Sequence, residues 1–314
     1  MASQKITHDE LNLLIKLAKK VLWCDRETKR KIEKQGLHII PARFYSEIPT
    51  IGEVENSFEY RDLEKGAFHS DKIFNPKKML NFLQEIQVYA DEFNPPELGD
   101  IDSPKNFFWK NPAFSYSDAM AYYCMIRYFK PNQILEIGSG YSTLIASEAL
   151  QRNGYGDLIL IEPYPKPFLN QIKEVKNIIT KFIQDIPIFE LLGYSDSSDI
   201  IFIDSTHTVK NGSDCLYIYL KMLPEIRKDV IVHTHDVKLP FPFDMNQIID
   251  KNITWTEQYL LYAYMLDNPK IEVLFSSTYF YKFFPQETKK LMGGKYPGGG
   301  GSIWYSLKGS LNEL

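Results

Sequence analysis

Cysteine is scarce in this sequence. Cys24, Cys124 and Cys215 are the only three among 314 residues. Their number is odd and no two are close, so neither a disulfide framework nor a zinc knuckle follows, which suits a reducing compartment. No run of about 18 apolar residues occurs, so a membrane-spanning helix is not expected. The N-terminus makes a poor export signal. Asp9 and Glu10 come early, Lys16, Lys19 and Lys20 interrupt the apolar run, and no small-residue cleavage site follows. The expected location is cytoplasmic. Charge of one sign is also lacking: 36 Lys and Arg face 40 Asp and Glu, a net charge of -4. That balance argues against nucleic acid as a partner. There is no internal repeat.

What is present is ordinary for a globular protein, with 44% apolar and 24% charged residues. A chain of this size buries a large core without a staple. The aromatic content is higher than usual, at 20 Tyr, 20 Phe and 4 Trp. Core packing accounts for most of it. A Tyr both packs and hydrogen-bonds, so some could line a polar pocket.

Thr7 and Glu10 form a capping-box pattern, and Leu11, Leu14, Ile15, Ala18, Val21 and Leu22 recur at helical spacing. The expectation is a helix over 8–23 that packs on the chain's own core, with a membrane-surface or dimer helix as the alternative. Residues 36–75 read as irregular, 76–92 as helix, 94–112 as loop and 117–129 as helix. From Gln133 the texture changes. Short Ile- and Val-rich runs at 134–137, 158–161, 178–183, 200–203 and 230–232 alternate with helical segments near 142–152, 166–175, 186–192 and 211–223. Such runs suit parallel strands buried on both faces, and the alternation is that of an open α/β sheet. A helix near 256–267 and strands at 271–276 and 302–307 follow. Gly293, Gly294 and Gly298–Gly301 predict a flexible, exposed loop between those two strands.

The strongest local signal is Glu136-Ile-Gly138-Ser-Gly140-Tyr141-Ser142-Thr143. A strand ends in a glycine turn and a helix begins, which offers free N–H groups to a ligand. A nicotinamide fold wants a third glycine where Thr143 stands. The second strand ends at Glu162, whose carboxylate can accept two hydroxyls at once. The fourth ends in Asp204-Ser-Thr-His207 and the fifth in His233-Thr-His235-Asp236. Adjacent strand ends would bring Asp204, His207, His235 and Asp236 to one pocket. Carboxylates with imidazole suit a divalent metal or a general base. His233 is expected to face the other side of its strand in a structural role.

The acid–Gly turn and the second acid 26 residues on resemble the class I S-adenosylmethionine-dependent methyltransferases. The resemblance covers about residues 111–307, including Asn111–Asp118 and Trp255–Leu261. It implies an α/β, Rossmann-like fold with a seven-stranded, mostly parallel sheet and helices on both faces. It also implies a cofactor-binding set of Glu136, Gly138, Gly140, Tyr141, Ser142, Thr143, Glu162, Asp185 and Asp204, with Asp185 near the adenine. The Asp204–His207 and Asp236 pattern is similar to metal-dependent sugar O-methyltransferases. That likeness implies acids at Asp204 and Asp236 holding a metal and His207 as the base. The subgroup has Glu where this chain has His235, and that softer ligand makes Mg less natural on Asp204, His235 and Asp236 and favours Mn, Fe or Zn, or no metal.

Residues 1–112 are expected to form a helical cap or accessory region and 113–314 the S-adenosylmethionine-binding domain, with a homo-oligomer as one arrangement. The expected activity is transfer of a methyl group to a hydroxyl of a carbohydrate, glycan or sugar-containing small molecule. His207, Asp204 and Asp236 would carry catalysis. Trp255, Glu257, Gln258 and Tyr259 are pocket candidates, with core packing or a first helical turn as their plainer roles. A phenolic acceptor, or a catalytically silent binding protein, is the alternative.

Overall fold

A computed structural model describes residues 5–114 and 116–310. The apolar runs form seven strands: β1 (Gln133–Ile137), β2 (Asp157–Ile161), β3 (Val175–Ile179), β4 (Ile200–Ile203), β5 (Val230–Thr234), β6 (Ile271–Ser276) and β7 (Ile303–Leu307). They lie in one sheet in the order β3-β2-β1-β4-β5-β7-β6. Only β7 runs against its neighbours, β5 and β6. The strand order reverses between β1 and β4, so a crevice opens there at the strands' C-terminal ends. This is the Rossmann-like, mostly parallel sheet that the sequence implies.

The helices are α1 (His8–Val21), α2 (Arg26–Glu33), α3 (Ile51–Glu55), α4 (Pro76–Gln87), α5 (Tyr116–Phe129), α6 (Tyr141–Asn153), α7 (Ile188–Ser197), α8 (Asp214–Tyr217), α9 (Met245–Ile249), α10 (Glu257–Met265), α11 (Ser277–Phe283) and α12 (Pro285–Leu291). One apolar core joins sheet residues such as Ile134, Phe202 and Trp304 to Phe74, Met79, Leu83, Phe93 and Trp109 from the N-terminal third. In contrast, α1 and α2 bury no residue at all. Among the described residues the expected packing of α1 on the chain's own core is therefore absent. Its periodicity made a helix and a face but did not specify what would cover that face.

Other elements also differ from expectation, among them the short helices α2, α3 and α9, which lie outside the helices expected from the sequence. The third strand spans 175–179 rather than 178–183. As the sheet's edge it exposes Lys176 and Asn177, and a tight turn at Lys181 then carries Ile183 back into the core. Between Pro165 and Val175 there is only a 3-10 turn, Pro167–Gln171. The predicted helix over 211–223 is α8 followed by a π-turn, Ile218–Met222, and a 3-10 turn at Pro224. Between β6 and β7 the chain forms α11 and α12 before the glycines.

Nor is the last glycine run an exposed loop. Gly301 is buried, and Asp118, itself buried, accepts the N–H of Gly301 at 2.9 Å and that of Ser302 at 3.0 Å. The Ser277 hydroxyl donates to the same carboxylate at 2.5 Å. A Cβ on Gly300 would strike the Asp118 carboxyl. The glycines are thus a close approach of backbone to a buried charge. Asp118→Ala leaves these three donors without their acceptor and should lower the unfolding free energy by about 3 kcal/mol. Urea unfolding measures this, and an unchanged midpoint would contradict the role.

Candidate active site

Four strands end on one row of backbone hydrogen bonds. Glu162 N–H donates to Ile179, Gly138 N–H to Ile161, Asp204 N–H to Ile137 and His235 N–H to Ile203, all at 2.8 to 3.1 Å. The parallel register thus sets Glu162, Gly138, Asp204 and His235 side by side along the C-terminal edge. Gly138 has φ +81° and faces the Asp204 carbonyl, which any Cβ there would strike. Glycine is required on both counts.

The turn after β1 is held from both sides. Glu162 accepts the Ser139 N–H at 3.1 Å and the Tyr164 N–H at 2.8 Å. Thr143 Oγ1 accepts the Gly140 N–H at 3.3 Å and donates to Glu136 at 2.5 Å. Tyr122 donates to the other Glu136 oxygen at 2.8 Å. Glu136 is fully enclosed, and burial pushes its carboxyl up to about 7 against those two hydrogen bonds. It braces the turn through Thr143 from beneath. The Ser139 hydroxyl is buried without a hydrogen-bond partner among the described residues, and space is open where a Gly140 side chain would be.

Tyr141 and Ser142 are buried in the first turn of α6. The Tyr141 hydroxyl donates to Ile101 at 2.9 Å and its ring packs between Phe108 and Phe168, tying the 94–109 segment to α6. Asp185 lies on a 3-10 turn, Ile183–Asp185, and is exposed.

On the other side of Gly138 three acids converge on one imidazole. His207 Nε2 lies 3.2 Å from Asp204 and 3.5 Å from Asp236, while Nδ1 lies 2.8 Å from Glu257. One ligand atom each from Asp204, His207 and Asp236 falls within 4.8 Å of the others, a set able to hold a metal ion. His235 stands outside it, with Nδ1 at 3.4 Å from Ser302. His233 faces the same way as His235, since residues two apart on a strand share a face. Its Nε2 meets the same Ser302 hydroxyl at 2.8 Å, and the two rings stack 5.8 Å apart. The expected opposite orientation of His233 is thus corrected, and its buried environment holds its pKa well below the usual value.

His207 and Asp236 both adopt left-handed backbone, with φ of 58° and 52°. Such strain costs about 1–3 kcal/mol per residue and persists only where the surroundings impose it. For His207 the cause is visible. Its carbonyl accepts the N–H groups of Thr256 and Glu257 at the start of α10, at 2.8 and 3.0 Å. Glu257 is buried and also accepts Ser205 Oγ at 2.7 Å and Tyr219 Oη at 2.9 Å.

The charges oppose one another. Burial alone would lower the His207 pKa, but Asp204 and Glu257 outweigh it and raise the value to about 10. Burial would likewise raise Asp204, yet His235 and His207 hold it below the usual carboxylate range. At neutral pH His207 is therefore an imidazolium unless another cation sits against Asp204 and Asp236. Trp255 covers this imidazole, ring centroids 4.7 Å apart. Gln258 is buried and accepts the Lys238 N–H at 3.0 Å, and Tyr259 donates to Glu59 at 2.7 Å. These last two tie segments together.

A cavity of about 240 Å³ adjoins the cluster, lined by residues including Asn111, Phe114, Tyr116, His235, Asp236, Lys238 and Gly300. Larger depressions of about 510 and 950 Å³ run along α6 and include none of these residues. Glu257 is a pocket candidate from the sequence, but its hold on His207 is not readable there. It lies 50 residues from His207, and an acid opening a helix ordinarily needs no further explanation.

An acid-braced glycine turn thus lies at the switch point, with a second acid at the end of the next strand. Residues 135–237 match a family described as a methyltransferase domain. An uncharacterized protein of Archaeoglobus fulgidus is 33% identical over 192 residues, which are 57% of this chain and 84% of that relative. The O-methyltransferase TomG of Streptomyces achromogenes, solved with S-adenosylmethionine, is 14% identical over 73% of this chain and 90% of its own, with a TM-score of 0.38. The Bacillus cereus O-methyltransferase, solved with S-adenosylhomocysteine, is 14% identical over the same shares, with a TM-score of 0.35. The chain belongs to the class I S-adenosylmethionine-dependent methyltransferases.

A folded-state pKa raised above the unfolded value of about 6.5 adds stability that is complete below that value. The His207 contribution should therefore fade as pH rises from about 7 through about 10 in metal-free protein. Thermal melts of metal-free wild type and His207→Ala should converge over that range. A gap that stays constant would contradict the charged His207.

Proposed function

We propose that this methyltransferase moves a methyl group from S-adenosylmethionine to a hydroxyl of a carbohydrate or sugar-containing metabolite. The observation that carries the reading is the cluster of Asp204, His207 and Asp236 on the same sheet edge as the glycine turn. The chain offers a cofactor what it needs there: an unpartnered Ser139 hydroxyl, open space at Gly140 and the Glu162 carboxylate. Gly138, Gly140, Ser142 and Thr143 would shape and hold the turn, Glu162 would accept ribose hydroxyls, and Asp185 would border the adenine. Glu136 would act through Thr143, and Tyr141 through the 94–109 segment. The cofactor when bound supplies an electrophilic methyl, so alignment of the acceptor is the protein's main task.

His207 would take the hydroxyl proton at Nε2, with Glu257 holding Nδ1 and so fixing which nitrogen faces the acceptor. It can do so only when its own proton has been displaced. A divalent cation on Asp204 and Asp236 would lower both the imidazole and the hydroxyl pKa. With His207 Nε2 kept free for the proton, two carboxylates and the His235 imidazole would fit Mn or Fe, and two carboxylates alone would fit Mg. His235 would be a further ligand through Nε2, which lies 3.9 Å from Asp236 while Nδ1 faces Ser302. The cavity beside Asp236 offers polar groups at Lys238 and Tyr116, and Trp255 offers an aromatic face near His207. Both suit a hydroxyl-rich acceptor.

Two measurements test this. His207→Ala should lower turnover by about a hundredfold or more while calorimetry shows unchanged cofactor affinity. Retained turnover would remove His207 from the chemistry. EDTA should abolish methyl transfer from labelled cofactor to glycosides and added Mn should restore it. Transfer that ignores EDTA, or that proceeds only with phenols, would contradict the metal or the acceptor respectively.

A further inference from the structure

Among the described residues nothing buries the apolar face of α1, although Ala18, Val21 and Leu22 are half-buried. Leu11, Leu14, Ile15 and Leu17 are each 43% to 50% exposed, and Trp23, just past the helix, is 79% exposed. Neither α1 nor α2 buries a residue. The helices are instead specified locally. Thr7 and Glu10 complete a capping box, Asp25 caps α2, and Glu27 pairs with Lys31 at 2.8 Å. Local signals alone leave a helix of this length marginal in water. A covering surface would therefore stabilise it.

Charge says what kind of surface. Residues 5–35 carry nine Lys and Arg and five Asp and Glu, a net +4, while the rest of the chain carries 27 and 35, a net -8. At helical spacing, Leu11, Leu14, Ile15, Leu17, Ala18, Val21 and Leu22 fall on one broad stripe, and Lys16, Lys19 and Lys20 on the remaining arc. Arg26, Lys29, Arg30, Lys31 and Lys34 follow in and just after α2. The exposed apolar side chains then continue through Leu37, Phe44, Tyr45 and Ile48, in chain with no regular face. A protein groove would need one fixed shape to receive these. A fluid interface accepts them wherever they project.

We propose that the N-terminal arm docks this methyltransferase on an anionic lipid surface. The α1 stripe enters the headgroup boundary, Trp23 and Tyr45 lie at that level, and the lysines and arginines face the lipid phosphates. No helix is long and apolar enough to cross a membrane among the described residues, so the contact is interfacial.

The test is flotation of the full chain with vesicles of phosphatidylcholine containing phosphatidylserine, and with phosphatidylcholine alone. The protein should float with the first and not the second. Changing Lys16, Lys19 and Lys20 together to Ser should weaken partition on the order of a hundredfold. The double variant Leu14→Asp, Ile15→Asp should abolish it. Both variants should bind S-adenosylmethionine as wild type does by calorimetry, which shows the sheet domain intact. Failure to float with anionic vesicles would overturn the proposal, as would flotation that the Leu14→Asp, Ile15→Asp variant retains. A dimer in light scattering that this variant dissolves, without flotation of wild type, would assign the face to a second copy instead.

Discussion

The site depends first on strand register. One row of backbone hydrogen bonds fixes the ends of β2, β1, β4 and β5 relative to one another. That row places Glu162, Gly138, Asp204 and His235 along a single edge. A slip of one residue in any strand would turn its terminal side chain to the opposite face. The register is secured by burial on both faces, because each strand carries a nearly continuous apolar run. Gly138 sits within the row, where its missing side chain lets the turn lie against the Asp204 carbonyl. The glycine turn and the Asp204–His207 cluster are therefore joined by one backbone contact.

The second dependence is on Glu257. A fully buried carboxylate is costly unless its oxygens are satisfied, and this one meets Ser205, Tyr219 and His207. The start of α10 also takes the His207 carbonyl. Together these hold His207 in left-handed backbone and aim Nε2 at Asp204 and Asp236. The result is an imidazole whose proton is stabilised by its surroundings, not one poised to accept another. Its proton would be displaced by a positive charge placed against the two aspartates.

Much of this was legible in the sequence, and the rest was not, for identifiable reasons. Buried parallel strands write themselves as short Ile and Val runs, so β1, β2, β4 and β5 and their terminal acids could be read directly. The edge strand β3 exposes Lys176 and Asn177, and its boundary slipped accordingly. Asp118 meets Gly301 from more than 180 residues away, and no local pattern announces that contact. The same holds for Glu257 and His207. Simple strand alternation should have placed His233 beside His235. The amphipathic stripe of α1 was plain, yet periodicity describes a face and says nothing of its partner. Trp255 lies over His207, whereas Tyr259 ties to Glu59. Aromatics close in sequence thus take different roles.

The account turns on Glu162 and the glycine turn forming one cofactor site. Isothermal titration of S-adenosylmethionine into wild type and Glu162→Ala tests it most directly. Wild type should bind, and the variant should lose affinity by about tenfold or more, as expected when a charged hydrogen-bond acceptor is removed. Equal affinity in the two proteins would contradict the site described here.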